Sequence, residues 1–208
     1  MSDRELRNTL LDALHDQLSP VGFALNRGEA SFKRRNKEGW HEFQLIFLSR
    51  RPGWDIKLGL MIRKNIVENL YHKASYFEPK YHKTTPTIGI PVENYIDDGN
   101  EYCYSLCTVS DITKCYFEIS KVFSDIAEPF FARFDKIENI EKEVNIESRK
   151  SIFTGPKYEG NVGIILAKLV KNPNYEQLKT KYRNHYEWLS NGFYLPEYNA
   201  VIEELEKI

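Results

Sequence analysis

A chain of 208 residues is long enough for one large domain, or a domain with an appendage, and needs neither disulfides nor a structural metal to hold its core. Hydrophobic content of 41 % and aromatic content of 13 % exclude a disordered chain, because aromatic side chains supply large buried area per residue. Residues 1–90 hold 15 Lys/Arg against 10 Asp/Glu and residues 91–208 hold 14 against 20, for a formal net charge of −1. This split can steer an acidic partner toward the first half, and it is too mild to be a nucleic-acid signature.

The first element is a helix over residues 2–18. Leu6, Leu10, Leu11, Leu14 and Leu18 recur at spacings of three and four, Ser2 with Glu5 forms a capping box, and Pro20 and Gly22 end it. A short strand at Phe23–Leu25, a turn at 26–29 and a returning strand at 31–35 follow. From Trp40 to Ser49 the alternation puts His41, Phe43, Leu45 and Phe47 on one face. Arg51-Pro52-Gly53 turns the chain, and Trp54, Ile56, Leu58, Leu60 and Ile62 alternate with polar residues. Four antiparallel strands with one greasy face result, and amphipathic helices are the natural cover.

Residues 65–75 read as a short helix, 87–90 as an edge strand and 101–108 as a further strand. A long helix runs from Ser110 to about Phe134, with Pro129 a kink near its end. Residues 135–158 are charged and weakly periodic, so they read as a frayed helix and a connection. Helices over about 160–170, 174–190 and 197–207 close the chain. The expected fold is α+β: an antiparallel sheet of four to six strands with packed helices and a C-terminal helical extension. The expected division is a sheet domain over 1–135, a connection over 136–158, and a helical extension over 159–208 packed on the same domain.

Three cysteines without paired spacing, Cys103, Cys107 and Cys115, point to reduced thiols in a cytoplasm. The charged opening lacks the apolar run of a signal peptide. The apolar stretch Val162–Val170 is about half of a membrane span and is interrupted by Lys168, so no membrane partner is expected.

Several segments approach a chemical motif. Gly155 to Gly160 has the glycine spacing of a phosphate-binding loop, but Asn161 and Val162 stand where Lys and Ser/Thr are needed. Asp55-Ile56-Lys57 beside Glu42 has the composition of a metal-dependent hydrolase, although charges on the polar side of a strand need no chemistry to explain them. His41-Glu42 lacks the second histidine of a zinc protease, and Cys103 with Cys107 lacks further ligands. Tyr71-His72-Lys73 recurs as Tyr81-His82-Lys83, with Tyr76 between. This long aromatic loop is the first place to seek a site: His72 and His82 with Glu78 could hold a metal, His72, Tyr76 and His82 could line a pocket or stack on a base, or the loop could pack on its own side chains. Lys33, Arg34, Arg35, Arg50, Arg51 and Lys57 form a basic strand region with Trp40 and Trp54 nearby, residue types suited to protein hot spots or to phosphate contact and stacking, and equally to a solvated sheet face whose Trp rings fold into the core.

The order of features also resembles a family of small bacterial cytoplasmic proteins classed as a domain of unknown function. The resemblance rests on the leucine-rich first helix, Gly22-Phe23, Ser31-Phe32-Lys33-Arg34, the Phe43–Leu48 strand, Ile164-Ile165-Leu166-Ala167 and Asn174-Tyr175-Glu176. It implies no catalytic residues, and by analogy it suggests a toxin-neutralising immunity role. The sequence expectation is therefore a non-enzymatic module that binds another protein, with no cofactor and no bound metal. A nucleic-acid or phosphate-ligand binder using the basic sheet face, or a metal-dependent hydrolase, are the alternatives.

Overall fold

The computed structural model describes residues 1–155 and 157–208 and resolves into two units, residues 1–62 with 89–133 and residues 63–88 with 134–208. Residues 63–88, which the sequence reading kept with the sheet, group with the C-terminal helices. The class is α+β, with a six-stranded antiparallel sheet and a helical C-terminal part.

The sheet contains β1 (Ala24–Asn26), β2 (Ser31–Asn36), β3 (Gly39–Ser49), β4 (Trp54–Lys64), β5 (Ile88–Pro91) and β6 (Cys103–Leu106). The order is β1-β2-β3-β4-β5, and β6 also pairs with β4. Register sets which side chains share a face. Phe32 opposes Phe43 and Arg34 opposes His41, while Lys33 opposes Glu42 and Arg35 opposes Trp40. Helices of the first unit cover the Phe32/Phe43 face. Helix α1 (Asp3–Leu18) starts at the Ser2–Glu5 capping box, which satisfies two orphan backbone donors, and buries all five of its leucines. The ring of Phe23 meets Phe123 and Phe131 on that side, and His41 stacks on Phe131 with ring centroids 5.1 Å apart.

The long helix forms as its periodicity predicts, but in three pieces. Helix α3 (Val92–Ile96) is a short turn before β6. After it, α4 (Val109–Val122) starts at a Thr108–Asp111 capping box and passes through a π-helical turn at Phe123–Ala127 into α5 (Glu128–Arg133). The Glu128 N–H reaches back to the Phe123 carbonyl. Pro129 lacks an N–H and crowds the carbonyl four residues before it, so the wider turn stands where a regular helix would clash. In the second unit, α2 (Asn65–Tyr71), α6 (Ile137–Val144), α7 (Gly163–Leu169), α8 (Tyr175–Trp188) and α9 (Leu195–Leu205) are the helices. The sequence reads residues 135–158 as a frayed helix and a connection because they are charged and weakly periodic, and Glu141 and Glu143 of α6 are among those charges. Both carboxylates are buried and hydrogen-bonded: Glu141 accepts from Asn145 Nδ2 at 2.9 Å and Glu143 from Arg149 at 2.7 Å. Among the described residues, no helix is long and apolar enough to cross a membrane.

The turn into β4 depends on one glycine. Gly53 has φ +85°, and a Cβ there would lie 2.3 Å from the Leu106 carbonyl oxygen of β6. Gly53→Ala is expected to cost about 1–3 kcal/mol from backbone strain, plus the displacement of β6. Urea unfolding of the variant beside the parent checks this.

Candidate functional site

The sheet distributes its basic residues instead of gathering them. Arg34 and Trp54 lie on the helix-covered face. Arg34 rests over the Phe23 ring and pairs with Glu128 at 3.1 Å, and Trp54 Nε1 donates to the Asp3 carbonyl at 3.0 Å. Arg35, Trp40 and Lys57 belong to the opposite face. There Lys33 sits over the buried Trp40 ring and pairs with Glu42 at 3.0 Å, and Lys57 pairs with Glu93 at 2.9 Å. Arg50 and Arg51 are in the β3–β4 turn. Arg50 pairs with Asp55 at 3.1 Å, while Arg51 is exposed. Thus Lys33, Arg34, Arg50 and Lys57 each already face a carboxylate.

The carboxylate–lysine set is not assembled either. A Cβ on Gly59 would lie 3.7 Å from the Gln44 Cβ, which fixes how β3 and β4 run past each other. That register leaves Glu42 and Asp55 separated by about six residues of strand, roughly 20 Å. Hydrogen bonds from Ser105 and Arg50 hold the Asp55 carboxyl below its ordinary pKa, as expected of a carboxylate engaged in structure. Among the described residues, no group of three or more His, Cys, Asp or Glu side chains is placed to hold a metal ion.

The aromatic loop of the second unit is different, because its residues do converge. Glu68 on α2 is fully buried. Its carboxylate accepts from Lys157 Nζ at 3.1 Å to both oxygens and from the Thr85 hydroxyl at 2.7 Å, with His72 Nε2 at 3.5 Å and Arg63 at 3.8 Å. Burial alone would push its pKa up. The His72 hydrogen bond, the Lys157 charge and the Thr85 hydroxyl outweigh burial and hold it below the ordinary 4.5.

Thr85 then determines the proton positions around it. A hydroxyl has one hydrogen and two lone pairs. The hydrogen goes to Glu68, so the oxygen accepts from Arg63 at 3.0 Å and from His72 Nε2 at 2.6 Å. His72 therefore carries a proton on Nε2, and its Nδ1 meets the Ser75 hydroxyl at 2.7 Å. His82 donates from Nε2 to the Phe77 carbonyl at 2.7 Å and stacks on His72 with centroids 4.2 Å apart. The paired histidines thus fasten the loop, and neither Nε2 is available as a metal ligand.

A second buried carboxylate, Glu197 on α9, holds the loop farther along. It accepts from the Tyr76 backbone N–H at 2.7 Å, from Asn161 Nδ2 at 2.9 Å, and from the Tyr71 hydroxyl at 3.4 Å. Burial and the neighbouring Glu197 charge push the Tyr71 phenol well above its ordinary pKa, so it stays a donor. With its backbone held, the loop turns Tyr76, Phe77 and Tyr81 outward, at 59 %, 44 % and 46 % exposure. Phe193, from the α8–α9 connection, is 64 % exposed and its ring contacts Tyr76.

The phosphate-loop lookalike serves packing. Lys157 is tied to Glu68 and to the Pro86 carbonyl. A Cβ on Gly160 would lie 2.1 Å from the Tyr186 hydroxyl, so that glycine admits a tyrosine and not a phosphate. Pro156, within this motif, lies outside the described residues. Glu68, Thr85, Lys157 and Glu197 carry the arrangement, and sequence reasoning did not single them out as a set. The one local signal is the Glu68/His72 spacing of four on a helix. No family model, no curated protein and no solved structure matches this chain.

Thr85→Val removes the donor to Glu68 and the acceptor for Arg63 and His72, and should cost about 1–3 kcal/mol in chemical unfolding, while Thr85→Ser should recover most of it. Glu68→Gln should cost about 3–5 kcal/mol at neutral pH, because it leaves Lys157 and Arg63 without their shared anion. Below the ordinary carboxyl pKa of 4.5, the unfolded chain binds a proton that the folded chain does not. Stability held above pH 4.5 should therefore fall as acid drives the pH through the lowered folded value. The Glu68→Gln variant should show a shallower decline in thermal unfolding across that range.

Proposed function

We propose that this protein is a non-enzymatic binding module whose partner is another protein, and that Tyr76, Phe77, Tyr81 and Phe193 form its contact surface. The observation that carries the reading is a group of large aromatic side chains, each more than 40 % exposed: Tyr76, Phe77 and Tyr81 on a loop fixed from beneath by Glu197 and the His72–His82 stack, with the Phe193 ring against Tyr76. Aromatic residues dominate binding hot spots, and an exposed cluster of them marks an interaction site. Preorganisation adds to this: a loop already ordered loses little conformational entropy on docking. The titratable groups nearby are engaged with one another, which fits a scaffold better than a reaction centre.

The basic sheet residues support the nucleic-acid reading less, since Lys33, Arg34, Arg50 and Lys57 face carboxylates of the chain itself. We place the protein in the cytoplasm, where its three unpaired thiols would stay reduced. On the family resemblance described above, the class of partner is a protein toxin that this chain neutralises.

Affinity capture from lysate of the source cells, with the parent chain and a Tyr76→Ser/Phe193→Ser double variant side by side, tests the reading. A stoichiometric partner retained by the parent and lost at least about tenfold by the variant, with unchanged thermal unfolding, is expected. A partner held equally by both, or none with either at micromolar concentration, would overturn it.

A further inference from the structure

The second unit contains a cleft that the aromatic surface does not use. It has a volume of about 740 Å³ and lies between α8 and the segment after α6, within the size range of small-molecule sites. Lys181, His185 and Trp188 line one wall, and their spacings of four and three place them along a single stripe of α8. Arg149, Lys150 and Ser151 line the other. The buried Tyr182 and Val144 contribute apolar lining.

This second wall is a built feature. Buried Glu143 accepts from Arg149 at 2.7 Å and from the Ile152 backbone N–H at 3.2 Å, which holds the segment in place. Arg149 also donates to the Lys150 carbonyl. Two carboxylates share the lining, Glu147 and Glu159, and Glu159 is engaged by the Gly155 backbone N–H at 3.1 Å. Glu147 also lines the adjoining groove with Glu141 and Lys142. Lys150 and Lys181, on opposite walls, have no carboxylate partner among the described residues. Trp188 is 86 % exposed, so its indole contributes almost nothing to the core of this chain.

A large exposed indole beside two unpaired ammonium groups has a recognisable chemistry. An aromatic face is a stacking platform for a planar ring, and ammonium groups lining the walls of one cleft match the charge of a phosphate. We propose that this cleft binds a small ligand of the nucleoside monophosphate class, with its ring on Trp188 and its phosphate between Lys150 and Lys181. The ligand site is independent of the protein-contact surface proposed above.

Tryptophan emission of the full chain, titrated with AMP, adenosine and inorganic phosphate in parallel, tests the proposal. AMP should quench saturably with submillimolar affinity, and adenosine and phosphate should each bind at least about tenfold more weakly. Trp188→Phe should remove the quench, and Lys150→Ala/Lys181→Ala should weaken AMP at least about tenfold. All three positions are exposed, so the variants should unfold like the parent. No saturable response to AMP up to about 10 mM, with calorimetry agreeing, would overturn the site. Undiminished affinity in the double lysine variant would overturn the phosphate assignment, and phosphate binding as tightly as AMP would overturn the ring assignment.

Discussion

The second unit is organised around one buried anion. Glu68 sits at 0 % exposure and draws Arg63, His72, Thr85 and Lys157 around it. A carboxylate without partners there would be costly by several kcal/mol, so each partner is held as firmly as the charge is. The partners come from β4, from α2, from the loop before β5 and from the segment before α7. Satisfying one charge therefore fixes four pieces of chain at once. The outward-facing aromatic side chains follow from this anchor together with Glu197: the loop can expose greasy rings because His72 is tied at Glu68 and the Tyr76 backbone is tied at Glu197.

Much of the fold can be read from periodicity. The five leucines of α1, the alternation in β3 and β4, and the boundaries of α8 and α9 follow from simple spacing rules, since in each case burial of an apolar stripe is the dominant force. Where burial involves charge, the pattern misleads. Glu141 and Glu143 make α6 look solvated, and Lys157 with Gly155 and Gly160 imitates a phosphate loop. Charged groups that are buried with their partners look, in the sequence, like charges facing solvent.

The site shows the same division. His72, Tyr76 and His82 stand out as a repeated aromatic-histidine loop; His72 and His82 stack on one another, while Tyr76 meets Glu197 through its backbone and Phe193 through its ring. What holds them does not stand out, because Thr85, Glu197 and Lys157 are ordinary residues in isolation. Arg34, Arg35, Trp40, Arg50, Arg51, Trp54 and Lys57 look like one patch in the sequence because strand neighbours are close along the chain. Alternation sends Arg34 and Trp54 to one face and Arg35, Trp40 and Lys57 to the other, and leaves Arg50 and Arg51 in a turn.

The separation of Glu68 from Lys157 along the chain, 89 residues, has a bearing on how the protein is made. As the polypeptide leaves a ribosome at about 5–20 residues per second, α2 emerges roughly 5–20 s before the lysine that completes its charge pairing. During that interval the nascent carboxylate has only its local neighbours Arg63, His72 and Thr85, and water. The 63–88 segment thus has a built-in waiting period, and its final arrangement belongs to the last stage of synthesis, when α7 and α9 follow.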